Sequence, residues 1–386
     1  MMFFLSDEHR MMQKMVREFA EKEIAPRAAE IDRTCEFPAD TFRKLGQQGL
    51  LGIPYPEEEG GAGFDYLSYA IAVEEVSRVC GSTALSMAAH TTLGCGPLHH
   101  FGTPEQKDRF LGRLASGEML GAYGLTEPNS GSDSGGMQTR AVKDGDHWVL
   151  NGQKAWMTNG GVAGLYTVTA LTDPEKKTKG ITAFLIEAGQ EGAEVGAEYD
   201  KLGCRGSNTV EFYLTDCRVH ESMVLGEVNR GFPQFMEILN MGRISIGAMA
   251  LGLAQASLDA AAKYSLEREQ FGQPIGHFQA IQFMLADMAT EIEAARLLVY
   301  QAARLKDLGE PFAIPASKAK LYASEAAHRA CHKAIQIHGG YGYSREFPVE
   351  RYMRDAKLTE IGEGTSEVQR MIIGRDLLKN TARGMQ

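Results

Sequence analysis

The sequence predicts a mainly α protein with a central β-domain. An N-terminal helical domain is expected over 1–118, an antiparallel, β-barrel-like domain over 119–228, and a C-terminal four-helix bundle over 229–386. Three observations carry this reading. The first third is a succession of helix-like segments with recognisable caps. Near residue 119 the texture changes to alternating, β-prone runs separated by turn residues. From about residue 232 the helix period returns in long segments with short connections, the pattern of an antiparallel bundle.

In chain order, residues 5–30 are expected to be helical, with Ser6 as N-cap and acids in the first turn. Further helices are expected near 38–50, 65–80 and 83–100. "FGTPEQKDRFLGRLASGE" supplies a cap at Thr103, Pro104 at the first helical position and Gly117 near a stop. In the middle region, "HWVLNGQKAWMTNG" places Asn151-Gly152 between two β-prone runs, a hairpin signal because both residues tolerate positive φ. "LYTVTALT" (165–172) and "GITAFLIEA" (180–188) read as strands. "NTVEFYLTDCRV" alternates Val210, Phe212 and Leu214 against Glu211, Tyr213 and Thr215, as a half-buried strand does. In the bundle, Ile244, Ala248, Leu251, Leu258 and Ala262 share one helical face, and Ile281, Leu285, Met288, Ile292, Ala295 and Val299 share another. A third helix spans roughly 315–338 and ends at Gly339-Gly340; a fourth starts near Thr365.

Composition narrows the function. A chain of 386 residues suits two or three domains, and 44% hydrophobic with 23% charged residues is a globular composition. The formal charge of −10, with no dense run of Lys and Arg, argues against nucleic acid as a partner. No stretch of about 18 uninterrupted apolar residues occurs, so no membrane span is expected. The apolar tip of "MMFFLSDEHR" is too short for a signal peptide. Cys35, Cys80, Cys95, Cys204, Cys217 and Cys331 form no CxxC pair, which argues against zinc and against a disulfide framework and suits a reducing cytoplasm. His99-His100 has no further ligand at metal spacing, so no metal is expected.

Several constellations could carry chemistry. "YGLTEPNSGSDSGG" (123–136) offers many backbone N–H and hydroxyl donors with little bulk, suited to a phosphate, a ribityl chain or a ring edge, yet it matches neither nucleotide-binding glycine motif. In "KAWMTNG" an indole next to Thr158 could flank a flat cofactor, or simply be core. Arg268, in "LEREQFGQPIGHFQAIQF", could grip a phosphate or only be solvated. The glycine pair of "QIHGGYGYSREFPVERYMRDAK" allows close approach of a ligand, or caps a helix. Finally, "IGEGTSEVQR" sets a lone carboxylate, Glu363, between two glycines before a helix start, where a solvated turn is the plain alternative.

Six of these segments, in order and with matching spacing over nearly the whole chain, resemble the flavin-dependent acyl-CoA dehydrogenase family: "YGLTEPNSGSD", "WMTN", "REQFG" with "FQAIQF", "QIHGGYGY", "PVERYMRDAK" and "EGTSEVQR". The closest flavour is the short-chain, butyryl-type branch. The resemblance implies FAD as cofactor and assigns residues by position. Tyr123, Leu125 and Thr126 would touch the isoalloxazine, with Ser132 near the substrate and flavin phosphates. Trp156 and Thr158 would cover the ring. Arg268, Phe271 and Gln279 would reach the FAD of a neighbouring subunit, and Gln336, Gly339 and Gly340 its adenosine end. Thr365 and Glu367 would border the flavin, and Arg243 would shape the substrate end. Glu363 would be the general base that removes the proton α to the thioester carbonyl while hydride leaves the β-carbon. Gly362 and Gly364 would let the backbone approach the acyl-CoA.

The same resemblance implies a homotetramer, built as a dimer of dimers, that passes electrons to an electron-transferring flavoprotein. Many straight-chain members carry a bulky Tyr or Thr where this chain has Gly362, which suggests room for branched or alicyclic acyl groups. His90, Thr91 and Thr92 fall in the segment that lines the far pocket in relatives, so Thr91 is a candidate acyl contact. Competing readings are an acyl-CoA oxidase, set second because the long C-terminal extension of peroxisomal oxidases is missing; a decarboxylating dehydrogenase of dicarboxylic thioesters, which needs a cation at the distal carboxylate; and a flavin-free helical scaffold, which the Glu363, Trp156 and Arg268 motifs oppose.

Overall fold

The computed structural model describes residues 5–385; most of the apolar tip considered above lies outside them. Ser6 caps α1 (Asp7–Phe19), its side chain accepting from the His9 N–H. The helix does not run on unbroken to residue 30. Pro26 cannot donate to the ladder, and the chain passes through a π-helical and a 3-10 turn into α2 (Ala28–Thr34). Then come α3 (Ala39–Gln47), α4 (Tyr66–Ser77), α5 (Gly81–Ala88), α6 (Gly96–Phe101), α7 (Pro104–Gln106) and α8 (Gly112–Ala115). Thr103 caps α7 in a reciprocal pair with Gln106. Between α5 and α6 the residues Ala89–Cys95 form a π-helical stretch, wider than an α-helix and common at functional sites.

The middle region is one eight-stranded sheet. Its strands are β1 (Gly121–Gly124), β2 (Arg140–Asp144), β3 (His147–Thr158), β4 (Leu165–Leu171), β5 (Ile181–Glu187), β6 (Ala193–Glu198), β7 (Thr209–His220) and β8 (Val224–Leu225), in the order β6-β7-β3-β2-β4-β5-β8 with β1 also on β4. Two expectations change here. The sheet is mixed rather than wholly antiparallel: β1 runs parallel to β4, and β2 meets β4 at one parallel pair. Alternation reports which face a residue takes but not the direction of its neighbour. Asn151-Gly152 is not a hairpin turn; it lies inside β3, where the register with β7 slips between Leu150 and Gly152. A glycine inside a strand marks such a bulge, and here a Cβ would collide with Thr139. The hairpin closes instead at Gly145-Asp146, with Gly145 at φ +61°. β7 keeps its predicted alternation, with Val210, Phe212 and Leu214 buried.

The C-terminal part contains α9 (Gly231–Glu267), the short hairpin β9 (Glu269–Gln270) and β10 (Gln273–Pro274), then α10 (Gln279–Asp307), α11 (Ala313–His338), α12 (Val349–Thr359) and α13 (Ser366–Gly384). The single apolar face read for α9 was too narrow. From Met241 to Ala254 the helix is buried on every side, because α4, α5, α10, α11 and α12 all pack on it. Over 18 residues its mean hydropathy of 1.3 matches a membrane span by composition, yet 78% of that window is buried inside the protein. α10 shows the expected stripe, with Met288, Ile292, Ala295 and Val299 buried.

The π-helical stretch joins the two halves. On one side Gly94 meets β1 so closely that a Cβ on Gly94 would lie 2.9 Å from the Gly121 Cα. His90, fully buried, donates from Nε2 to the Leu114 carbonyl and accepts the Gly121 N–H at Nδ1. Burial pulls its pKa down to about 4, so the ring stays neutral in this tautomer. On the other side Thr92 approaches Ser245 of α9 at 3.5 Å. Replacing Gly121 with alanine would push β1 off this stretch. We expect Gly121→Ala to cost about 1–3 kcal/mol by overpacking, read as a lower midpoint in urea unfolding; an unchanged midpoint would show that the contact can relax.

Candidate active site

Glu363 stands in a six-residue connection between α12 and α13. The connection is closed at its base, since Gly362 N–H donates to Leu358 O at 2.8 Å and Ser366 N–H to Glu360 O at 3.0 Å. Thr365 caps α13 by accepting the Val368 N–H. Inside it, Glu363 has φ +54° and Gly364 φ +97°. Gly364 takes the left-handed region freely; a glutamate there costs on the order of 1–3 kcal/mol, and such strain concentrates at functional sites.

That turn drives the carboxylate inward against α9. A Cβ placed on Gly242 would land on Glu363 Oε2, so only glycine fits beneath it. Oε2 is buried with no hydrogen-bond partner. Desolvation raises the pKa of Glu363 to about 7, partly offset by the positive charges of Lys320 and Arg243. Arg243 is itself 2% exposed and donates to Asn240 Oδ1 at 2.5 Å and Ser317 Oγ at 3.3 Å. Lys320 Nζ donates to the Gly364 carbonyl at 2.6 Å, and Gln369 Nε2 donates to the same oxygen at 3.0 Å. Among the described residues, no acceptor is paired with the Glu363 N–H. The result is a half-buried glutamate whose Oε2 is cut off from solvent and whose pKa burial raises, beside an unpaired backbone N–H.

Around it, Tyr69 Oη lies 3.0 Å and Tyr66 Oη 3.4 Å from Thr92 Oγ1, and Ser245 Oγ donates to the Gly242 carbonyl. Thr91 does not face this cluster. It is fully buried and donates to Leu51 O, while its own carbonyl accepts from Tyr55. At Gly362 the three atoms nearest to an added Cβ all belong to Leu358, at ordinary contact distances of 3.6–3.9 Å.

A second group lies in the β-domain. Tyr123 is on β1 and half-buried; Leu125 and Thr126 follow it, and Ser132 is exposed further along the loop. The loop is tied to β3, since Ala155 N–H donates to Thr126 O at 2.8 Å and Lys154 Nζ to Leu125 O at 3.3 Å. Trp156, at φ +57° and 57% exposed, stacks on Tyr199 with ring centres 4.0 Å apart and planes at 11°. An exposed indole held flat by a stacked tyrosine, beside a loop rich in small polar residues, fits a flat ring system. Thr158 closes β3. The orphaned polar atoms Ser366 Oγ and Gln369 Oε1, at the head of α13 with Thr365 and the exposed Glu367, likewise await a partner.

A third group sits elsewhere. Arg268 caps the far end of α9, and Phe271, 94% exposed at φ +54°, tips the β9–β10 hairpin. With Tyr341, Gly339 and Gly340 they line a groove of about 710 Å³. Gln279 and Gln336 are exposed on the first turn of α10 and the last turn of α11 beside it. From Gly242 to Arg268 the helix rises roughly 39 Å, so one chain does not bring this group to its own Glu363.

Sequence reasoning missed the residues that hold these pieces in place. Lys154 and Glu127 form a buried ion pair at 2.7 Å, and Glu127 also accepts the Gln138 and Thr139 N–H groups. The signal was available: Lys154 occupies an inward position of β3. Lys320, Gln369 and Asn240 carried no such signal, since a helical lysine, glutamine or asparagine reads as solvated. Among the described residues no group of three His, Cys, Asp or Glu could hold a metal.

Comparison with known proteins places the chain in a family. The acyl-CoA dehydrogenase N-terminal, middle and C-terminal domain families match residues 6–118, 122–217 and 229–378. The probable acyl-CoA dehydrogenase YngJ of Bacillus subtilis is 56% identical over 98% of this chain and 100% of its own length. The butyryl-CoA dehydrogenase of Megasphaera elsdenii superposes with a TM-score of 0.96 at 45% identity, covering 98% of this chain and 100% of that one. A chain in the structure of the electron transferring flavoprotein of Acidaminococcus fermentans superposes with a TM-score of 0.97 at 47% identity, with the same coverage. Matched along nearly its whole length by all three domain families and by these relatives, the chain belongs to the acyl-CoA dehydrogenase family.

Proposed function

We propose that this FAD-dependent acyl-CoA dehydrogenase converts a short-chain acyl-CoA to its 2-enoyl-CoA, with Glu363 as the base. The observation that supports this most is the enclosed Glu363 carboxylate, unpartnered at Oε2 and poised near neutrality. A proton α to a thioester is weakly acidic, so a base must be desolvated and the developing enolate must meet donors. Glu363 Oε2 takes that proton, and the Glu363 N–H is free to donate to the carbonyl oxygen. FAD, when bound, supplies the acceptor for the hydride that leaves the β-carbon. Trp156, Thr158, Tyr123, Leu125 and Thr126 would hold its ring, with Thr365 and Glu367 at its border and Ser132 toward the phosphates. Arg243 orders the substrate end through Asn240 and Ser317.

The reading extends to assembly. Arg268, Phe271, Gln279, Gln336, Gly339 and Gly340 would serve the FAD of a neighbouring copy in a homotetramer, because their groove lies at the Arg268 end of α9, far from the Gly242 that meets their own Glu363, and Phe271 is left almost wholly exposed. The electron acceptor we assign is an electron-transferring flavoprotein, in line with the likeness to the Acidaminococcus fermentans structure. A reducing cytoplasm suits six unpaired cysteines. The lack of any close clash for a Cβ at Gly362, whose nearest neighbours in Leu358 stand at 3.6–3.9 Å, supports a pocket that takes branched or alicyclic acyl groups.

Anaerobic titration of the yellow holoenzyme with butyryl-, isobutyryl-, isovaleryl-, glutaryl- and cyclohexanecarbonyl-CoA tests the reading. Bleaching by short monocarboxylic thioesters is expected; no bleaching by any of them would reject it. Glu363→Gln should slow bleaching about a thousandfold while the flavin stays bound. The same change should stabilise the fold. An acid whose native pKa is raised loses stability as pH rises from its unfolded value through about 7, so at pH 8 the Gln variant should melt about 2–5 °C higher. Gly362→Tyr should cut kcat/KM for branched and cyclic thioesters by about tenfold or more and leave butyryl-CoA little changed. Equal losses on all substrates would reject the open-pocket reading.

A further inference from the structure

Among the described residues two lysines, Lys154 and Lys320, are fully buried, and they are paired differently. Lys154 has a carboxylate at 2.7 Å, the ordinary way to offset a buried ammonium. Lys320, on α11, has none within ion-pair distance among the described residues; it donates instead to a neutral group, the Gly364 carbonyl at 2.6 Å. Burying a charge on a single carbonyl is costly, and the site where that cost is borne lies directly under the Glu363 turn. Gln369 Nε2 reinforces it, donating to the Gly364 carbonyl at 3.0 Å and reaching the Glu363 carbonyl at 3.4 Å. Two side chains from two helices therefore grip the peptide oxygens of the consecutive positive-φ pair Glu363-Gly364.

We propose that Lys320 is a positioning residue for the base: its hydrogen bond to the Gly364 carbonyl holds the strained Glu363-Gly364 turn, and its positive charge keeps the enclosed carboxylate ionisable. This rests on the reading of Glu363 as the base. Several charged or titratable groups share the field. Glu363 faces Lys320 from α11, Arg243 from α9, and Tyr66 and Tyr69 from α4. Lys320 also faces Arg243, Glu360 at the end of α12 and Glu367 on α13. Of the two cations near Glu363, Arg243 is turned to Asn240 and Ser317, whereas Lys320 is bonded to the turn itself. Removing the charge of Lys320 removes an opposing charge from an acid already raised by burial, so the acid should lose its proton only at higher pH.

Two variants separate the hydrogen bond from the charge. Lys320→Gln keeps a donor without the charge; Lys320→Met keeps neither. The first readout is a carbon-13 NMR titration of the holoenzyme labelled at glutamate side-chain carboxyls, with Glu363→Gln identifying the Glu363 signal. The second is the pH dependence of anaerobic flavin bleaching by butyryl-CoA. Both variants should move the Glu363 midpoint upward by about one pH unit and shift the acid limb of bleaching with it. Lys320→Met alone should remain slower by about tenfold at pH 9, where the carboxylate is ionised but its turn is no longer held. An unshifted midpoint in folded Lys320→Gln would overturn the charge role, and equal plateau rates in the two variants would overturn the clamp. Should Lys320→Met fail to fold, Lys320→Ala takes its place in the plateau comparison, and the Lys320→Gln titration still decides the charge role. If wild-type flavin is bleached by no acyl-CoA, the dehydrogenase reading fails, whereas the NMR titration still reports whether Lys320 governs Glu363.

Discussion

Everything at this site depends on a carboxylate turned inward, with Oε2 cut off from solvent and left without a hydrogen-bond partner. Glu363 Oε2 lies against Gly242 so closely that no side chain could stand there. The fold bears two costs to keep it so: a left-handed glutamate and a desolvated acid. Neither cost would persist in a passive surface turn. Both are what proton abstraction from a weak carbon acid requires, since a base that stayed solvated near its ordinary value would be too weak at neutral pH.

The rest of the molecule can be understood as support for that arrangement. α9 is buried on all sides over the stretch that carries Gly242 and Arg243, which makes it a rigid floor. The π-helical stretch Ala89–Cys95 spans the gap between this floor and β1, with His90 held neutral and Gly94 pressed on Gly121. In the sheet, the Glu127–Lys154 pair fixes the loop after β1 to the strand that presents Trp156. Trp156, Phe271 and Glu363 come from three separate elements, yet each is a non-glycine residue at positive φ. Six other non-glycine residues, Cys35, Asn159, Lys177, Cys204, Asp216 and Asn229, share that backbone region among the described residues, so it is the burial of Glu363 Oε2 and the exposure of Trp156 and Phe271 that set these three apart.

Much of this was legible in the sequence. The three-part helix–sheet–helix order, the caps at Ser6 and Thr103, the helix start near Thr365 and the stripe along α10 follow from local periodicity and capping chemistry, and the structure has them. What was not legible depends on pairing at a distance. Asn151-Gly152 looks like a turn until β7 is laid beside it and the pair becomes a bulge. The parallel contact of β1 with β4 joins segments some forty residues apart, which no local pattern encodes. Thr91 and Thr92 are adjacent, yet only Thr92 faces the Ser245 side, because the π-helical register decides which side each takes. Lys320 is invisible as a site residue, since its position on α11 reads like any exposed lysine until Gly364 is placed above it.

The most direct test of the central claim is the pH dependence of flavin reduction in a single turnover, followed anaerobically by stopped-flow absorbance with butyryl-CoA. If Glu363 is the enclosed base, the rate should rise with the loss of one proton and reach half its maximum near pH 7, where burial places that carboxylate. A rate independent of pH between about 5.5 and 8, as a solvated carboxylate of ordinary strength would give, would contradict the account.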